Sequence, residues 1–191
     1  MSHAAPSVSA PVTSLKHLVM QGREQPVVFD GVRPDLCESL ACCILDRMQR
    51  ARGRKVGSLN IGGWKSGEDF FSWSEAAVQE LRSAIVEIVG APSPVAWAMV
   101  NRAGSQHPRH QHRAALLSGV YYVAAGSMDA VTPTIFECPC DGRTVRPADR
   151  FELAVDPHPG RLVICRGETW HKVPKYLGEA PRITVAFDVR R

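Results

Sequence analysis

The sequence predicts a mainly β protein, an all-β sandwich or barrel preceded by a helical layer. From Pro94 onward, short apolar runs (VAWAMVN, LLSGVYYV, TPTIFEC, FELAV, RLVIC and RITVAFDV) are separated by Gly, Pro and Asp, the pattern of short strands joined by turns. Ahead of them, two stretches carry apolar residues at helical spacing. The 191 residues, 45% apolar and 22% charged, suffice for one globular domain with a real core and would be cramped as two.

Residues 1–14, MSHAAPSVSAPVTS, are rich in Ser, Ala and Pro and lack the basic start and apolar core of a signal peptide. They read as a disordered tail, which leaves a single domain over residues 15–191. Its helical layer is expected over about 30–90 and its barrel over about 94–190. Pro26 to Asp30 reads as a strand. Pro34 then suits the first turn of a helix whose apolar positions are Leu36, Leu40, Cys43, Ile44 and Met48, with Gly53 as its stop. The basic run Arg47 to Lys55 is the solvated end of that helix. After a short apolar run at Leu59 to Ile61, Ser72 and Glu75 form a capping-box pattern, followed by Val78, Leu81, Ile85 and Val89 on one helical face and Gly90 as terminator.

The net charge of +4 is spread along the chain, which argues against a nucleic-acid partner. No run approaches ~18 apolar residues, so no membrane span is expected. The six cysteines lie at irregular spacings and read as reduced thiols of a cytoplasmic protein; Cys138 and Cys140 form a CxC that reads as part of a loop.

The chemistry concentrates in HPRHQHRAALLSGVYYV, His107 to Val123. His110 and His112 are two residues apart at the start of a strand-like run, so pleating turns both imidazoles to one face, where they can share an ion. An HxH pair needs a third ligand from another strand, and His171, in GETWHKV, is the best candidate. His107, an odd number of residues away and beside Pro108, is expected to face elsewhere or to sit in the loop. His158 reads as an exposed turn residue, and His3 and His17 lie near the tail.

In RITVAFDV, alternation puts Arg182, Thr184 and Ala186 on one face and Ile183, Val185 and Phe187 on the other. Arg182 is either a solvent-facing residue or, if its face lines the barrel, a guanidinium that needs a partner such as a ligand carboxylate. Ser118, Val120 and Tyr122 likewise share a face, and Tyr122 reads either as a core tyrosine or as a hydroxyl aimed at the same carboxylate.

HQH at 110–112, SGVYYV at 118–123, His171 and RIT at 182–184 stand in the order and spacing of the iron(II)/2-oxoglutarate-dependent oxygenases, which this chain resembles over roughly Val56 to Val189. It resembles more narrowly a group of small bacterial and phage oxygenases with an NxGGWxS-like segment, here NIGGWKS at 60–66. The resemblance implies a double-stranded β-helix, or jelly roll, with a cupin-like barrel. It implies Fe(II) on His110, His112 and His171, and 2-oxoglutarate bound through its far carboxylate by Arg182, Thr184 and Tyr122. With O2 as oxidant, a small-molecule or amino-acid-type substrate would be oxidised, by default hydroxylated, with release of succinate and CO2.

Two departures from the family pattern stand out. His112 occupies the position of the usual Asp or Glu ligand, so three neutral imidazoles would leave the Fe(II) charge uncompensated by protein. CRG at 165–167 replaces a more apolar stretch beside the distal histidine. Two alternatives stay open: a three-histidine cupin-type dioxygenase that uses no 2-oxoglutarate, and a non-catalytic jelly-roll metal-binding module. Whether the chain forms a homodimer is also open.

Overall fold

The computed structural model describes residues 25–51, 60–139 and 150–190. The predicted tail, the Gly53 stop, the start of the Leu59 run and Cys140 of the CxC lie outside the described residues.

The strands are β1 (Val27–Phe29), β2 (Trp64–Lys65), β3 (Val95–Asn101), β4 (His107–His110), β5 (Ala115–Ala124), β6 (Thr134–Pro139), β7 (Arg150–Val155), β8 (Leu162–Arg166), β9 (His171–Val173) and β10 (Arg182–Arg190). Two helices precede the barrel, α1 (Cys37–Arg50) and α2 (Ala76–Val89). The strands form a six-stranded sheet, β1-β8-β5-β10-β3-β2, and a four-stranded sheet, β4-β9-β6-β7, with antiparallel pairing between the named strands. Counted from β3, the first strand pairs with the eighth, the eighth with the third and the third with the sixth. In the other sheet the second pairs with the seventh, the seventh with the fourth and the fourth with the fifth. That order is the jelly roll, which closes two sheets of short strands around one interior.

Period-2 alternation gives the large sheet two apolar faces. Ile183, Val185 and Phe187 of β10 join Leu117, Tyr121 and Val123 of β5 and the buried faces of both helices in one core. Tyr122, Val163 and Cys165 turn the other way and meet Phe136, Cys138 and Val155 of the small sheet inside the barrel. Every position of β10 from Arg182 to Phe187 is therefore buried, although only alternate residues see each core.

Leu40 and Ile44 of α1 and Val78, Leu81, Ile85 and Val89 of α2 have no exposed surface, as their spacing requires. Gly90 closes α2 in the left-handed region at φ 63° and donates its N–H to Val86 O. The expected Ser72–Glu75 capping box does not form. Ser72 belongs to a 3-10 turn, Phe70–Ser72, and its hydroxyl donates to Asp69 O at 2.7 Å. Burial of Phe70, Phe71 and Trp73 commits this segment to a turn before the helix can start. Gln79 secures it instead by donating Nε2 to Phe71 O and Trp73 O at 3.1 and 2.6 Å.

NIGGWKS pins the short edge strand β2 to β3. Ser66 exchanges bonds with Ala98, its N–H donating to Ala98 O and its Oγ accepting from Ala98 N, both at 2.9 Å. Asn60 donates to Trp64 O at 3.2 Å and accepts from Asn101 Nδ2 at 3.1 Å. In β5, Gly119 stands opposite Phe187, whose ring fills the space a side chain would take. Among the described residues, no helix is long and apolar enough to cross a membrane.

Candidate metal centre

His110 ends β4 and pairs directly with His171, the first residue of β9. His112 lies beyond β4 rather than at the start of the next strand, because β5 begins only at Ala115. His112 is placed by the loop and not by pleating: its main-chain N–H donates to Gly167 O at 2.6 Å and its main-chain carbonyl accepts from Ala115 N at 2.9 Å. The three residues converge so that one potential ligand atom from each lies within 4.8 Å of the others.

Each Nδ1 in the cluster already has a partner. His110 Nδ1 meets Pro108 O at 2.8 Å, and His171 Nδ1 meets Thr169 O at 2.9 Å. A carbonyl only accepts, so these two rings carry hydrogen on Nδ1 and turn a free Nε2 lone pair toward the centre. His112 Nδ1 lies 2.9 Å from one Asp188 carboxylate oxygen and 2.8 Å from the other. Burial and the neighbouring imidazoles push His171 down to about 3, and burial also lowers His110. Neutral imidazoles are the form a metal binds.

His107 does not point away. It lies on β4, stacks on His110 with ring centroids 4.1 Å apart, and lines the cavity that the triad faces. Strict alternation fails because the β4–β9 register shifts between His107 and His110. Burial and three neighbouring histidines push its imidazole down to about 3. His158 is exposed.

Arg182 and Thr184 line that same cavity. Arg182 is 2% exposed, yet among the described residues no carboxylate pairs with it. Its Nη2 donates to Thr134 Oγ1 at 3.1 Å, and its guanidinium carbon sits 5.3 Å from the Tyr122 ring centroid. Arg182 Nε and Thr184 Oγ1 are buried without any hydrogen-bond partner among the described residues. Burial works against the charge on the guanidinium. Tyr122 is fully buried, and its hydroxyl donates to Thr134 Oγ1 at 2.7 Å. Thr134 therefore stands between Tyr122 and Arg182 and faces the cavity, a role that its place in TPTIFEC did not announce.

The cavity has lone pairs at one end and unsatisfied donors around a cation at the other. Such a site fits a metal together with a carboxylate-bearing chelator. A second, more open cleft reaches the histidines past Lys65, Trp97, Gln111 and Arg113. In it the Trp97 ring lies parallel to His112, at 5.8 Å and 7°, and Lys65 Nζ sits 4.4 Å from the Trp97 ring centroid.

Residues 95–188 match the model of the family described as "Putative 2OG-Fe(II) oxygenase". The β-barrel of this chain belongs to that family, an enzyme class whose cofactor is Fe(II) and whose cosubstrate is 2-oxoglutarate. No curated protein sequence matches the chain. Among solved structures, a Pseudomonas putida prolyl-4-hydroxylase superposes with a TM-score of 0.66 at 20% identity, covering 93% of this chain and 99% of its own. A Trichoplax adhaerens prolyl hydroxylase, in complex with a hypoxia inducible factor oxygen degradation domain peptide, gives 0.67 at 12% identity, covering 95% and 94%. The epimerase SnoN, in complex with Fe3+, alpha ketoglutarate and nogalamycin RO, gives 0.62 at 14% identity, covering 91% and 82%. At these identities the likeness establishes the jelly-roll fold.

Proposed function

We propose that His110, His112 and His171 bind Fe(II) through Nε2, and that Arg182 and Thr184 bind the far carboxylate of 2-oxoglutarate. Tyr122 supports that end by holding Thr134 in place. The substrate is a small molecule or an amino-acid-type group that reaches the iron through the cleft beside Trp97, and its oxidation is a hydroxylation. Iron and 2-oxoglutarate together supply the oxidising chemistry, in which O2 is consumed, 2-oxoglutarate becomes succinate and CO2, and one oxygen atom passes to the substrate.

The protein's part is placement. The cross-strand pair His110–His171 holds two ligands at a fixed spacing, and the Nδ1 bonds hold their tautomers. The apolar barrel wall of Phe136, Val163 and Val173 keeps water from the bound cosubstrate.

The observation that carries this reading is the buried Arg182 with an unpartnered Nε beside an unpartnered Thr184 hydroxyl. A buried guanidinium without a carboxylate is costly unless a ligand supplies one. The same feature disfavours a dioxygenase that binds its substrate on three histidines without 2-oxoglutarate. Succinate release from 2-oxoglutarate by the Fe(II)-loaded protein tests the proposal: turnover is expected from the wild type and should vanish in His171→Ala. Equal succinate formation by both proteins would refute it.

A further inference from the structure

The three clustered imidazoles differ in what stands behind them. His110 and His171 rest on main-chain carbonyls, whereas His112 rests on a carboxylate that reaches its Nδ1 with both oxygens, at 2.8 and 2.9 Å. That carboxylate belongs to Asp188, whose side chain is 18% exposed. The hydrogen bond from Nδ1 goes to Oδ2, while Oδ1, equally close, is buried and takes no hydrogen bond, and among the described residues no Lys or Arg pairs with the carboxylate. Trp97 stacks parallel on the His112 ring, and the Gly167 carbonyl, which accepts from the main-chain N–H of His112, fixes the backbone that carries it.

Asp188 lies six residues beyond Arg182 on β10, so it shares the face of Arg182, Thr184 and Ala186. One strand face thus carries the cation at one end of the site and an anion at the other. A carboxylate that accepts the Nδ1 proton makes Nε2 a stronger donor and places negative charge one ring away from the metal.

On the reading that His112 is an iron ligand, we infer that Asp188 is its positioning residue and gives His112 the charge-compensating role of the carboxylate that position 112 lacks. The iron site then has the negative charge of a two-histidine, one-carboxylate face, delivered through an imidazole.

The test compares the full-length wild type with Asp188→Asn, Asp188→Glu, His112→Asp and the double variant His112→Asp/Asp188→Asn. Fe(II) affinity is read by anaerobic competition with a chromophoric chelator, and the Fe(II)–2-oxoglutarate charge-transfer band is read by absorbance. Asp188→Asn keeps the side-chain shape and an acceptor oxygen but not the charge. It is expected to weaken Fe(II) by about 10–100-fold and to move the band to shorter wavelength, because a poorer donor set makes the iron harder to oxidise. Asp188→Glu, which keeps the charge, should retain the wild-type band position. In the His112→Asp background the Asn substitution should change affinity by less than about threefold, because the charge then sits on the ligand itself.

Wild-type affinity and an unshifted band in Asp188→Asn would overturn the inference. So would an equal loss in both backgrounds, which would mark Asp188 as a purely structural residue. A wild type that binds no Fe(II), like His171→Ala, would instead overturn the iron reading beneath it, and the inference with it.

Discussion

Replacing Arg182 by Met should move two measurements in opposite directions. In the metal-free protein, Arg182 is 2% exposed and, among the described residues, has neutral neighbours: it donates one hydrogen bond to Thr134 Oγ1 and lies over the face of Tyr122. Exchanging an uncompensated buried cation for an apolar chain of similar length removes its desolvation cost, and Thr134 Oγ1 keeps its bond from Tyr122. The expected gain is about 1–3 kcal/mol, within the range seen when buried ionic groups give way to packed hydrophobic ones. The far carboxylate of 2-oxoglutarate meanwhile loses a fork of charge-assisted donors, each contributing about 1.5–3 kcal/mol. A net loss of about 3–4 kcal/mol corresponds to a cosubstrate affinity weaker by about 10²- to 10³-fold. Urea denaturation of the metal-free protein reads the first effect, and anaerobic titration of the Fe(II) protein reads the second. A variant that loses stability and binds 2-oxoglutarate within a few-fold of wild type would instead mark Arg182 as a structural cation with no part in cosubstrate binding.

Tyr122→Phe removes the donor that holds Thr134 but leaves Arg182 its bond, so 2-oxoglutarate affinity should fall by only about 3–10-fold, one neutral hydrogen bond's worth; the same titration checks it. The metal-free protein should lose stability as pH falls. His107 and His171 titrate near 3 when folded and near their ordinary 6.5 when unfolded, so between those values the unfolded chain binds more protons. Stability present above pH 6.5 is therefore lost progressively toward pH 3, with each group contributing up to about 1.4 kcal/mol per pH unit. Urea titrations from pH 7 to 4.5 should show a shallower slope for His107→Gln than for wild type; parallel slopes would count against the burial of that imidazole. Gly119→Ala puts a methyl group into the Phe187 ring and should cost about 1–3 kcal/mol by the same assay, with Phe187→Leu restoring part of it.

Much of this architecture is legible in the sequence because period-2 and period-3.6 patterns are local. Arg182, Thr184 and Ala186 were separable from Ile183, Val185 and Phe187 by alternation alone, and the buried stripe of α2 by its spacing. Pattern fails where tertiary contacts decide. Ser72 looked like a helix cap, yet the burial of Phe70, Phe71 and Trp73 made it part of a 3-10 turn. The parity of His107 departs from alternation because a register shift in β4 is invisible in the sequence. The HxH spacing predicts a strand at His112, whereas a loop held by Gly167 positions it. Thr134 and Asp188 carried no motif, although Asp188 could have been found by extending the alternation of β10 two residues beyond Ala186. Its partner could not, because the His112–Asp188 contact joins residues 76 apart.

In the proposed function, one cavity holds Fe(II) on the three histidines and 2-oxoglutarate between that iron and Arg182. Anaerobic addition of 2-oxoglutarate to the Fe(II)-loaded protein tests it most directly. A visible metal-to-ligand charge-transfer band that saturates at one equivalent in the wild type, needs far more cosubstrate in Arg182→Met and is absent in His171→Ala is the predicted result. An Fe(II)-loaded wild type that develops no such band would mean that 2-oxoglutarate does not bind the iron in this cavity.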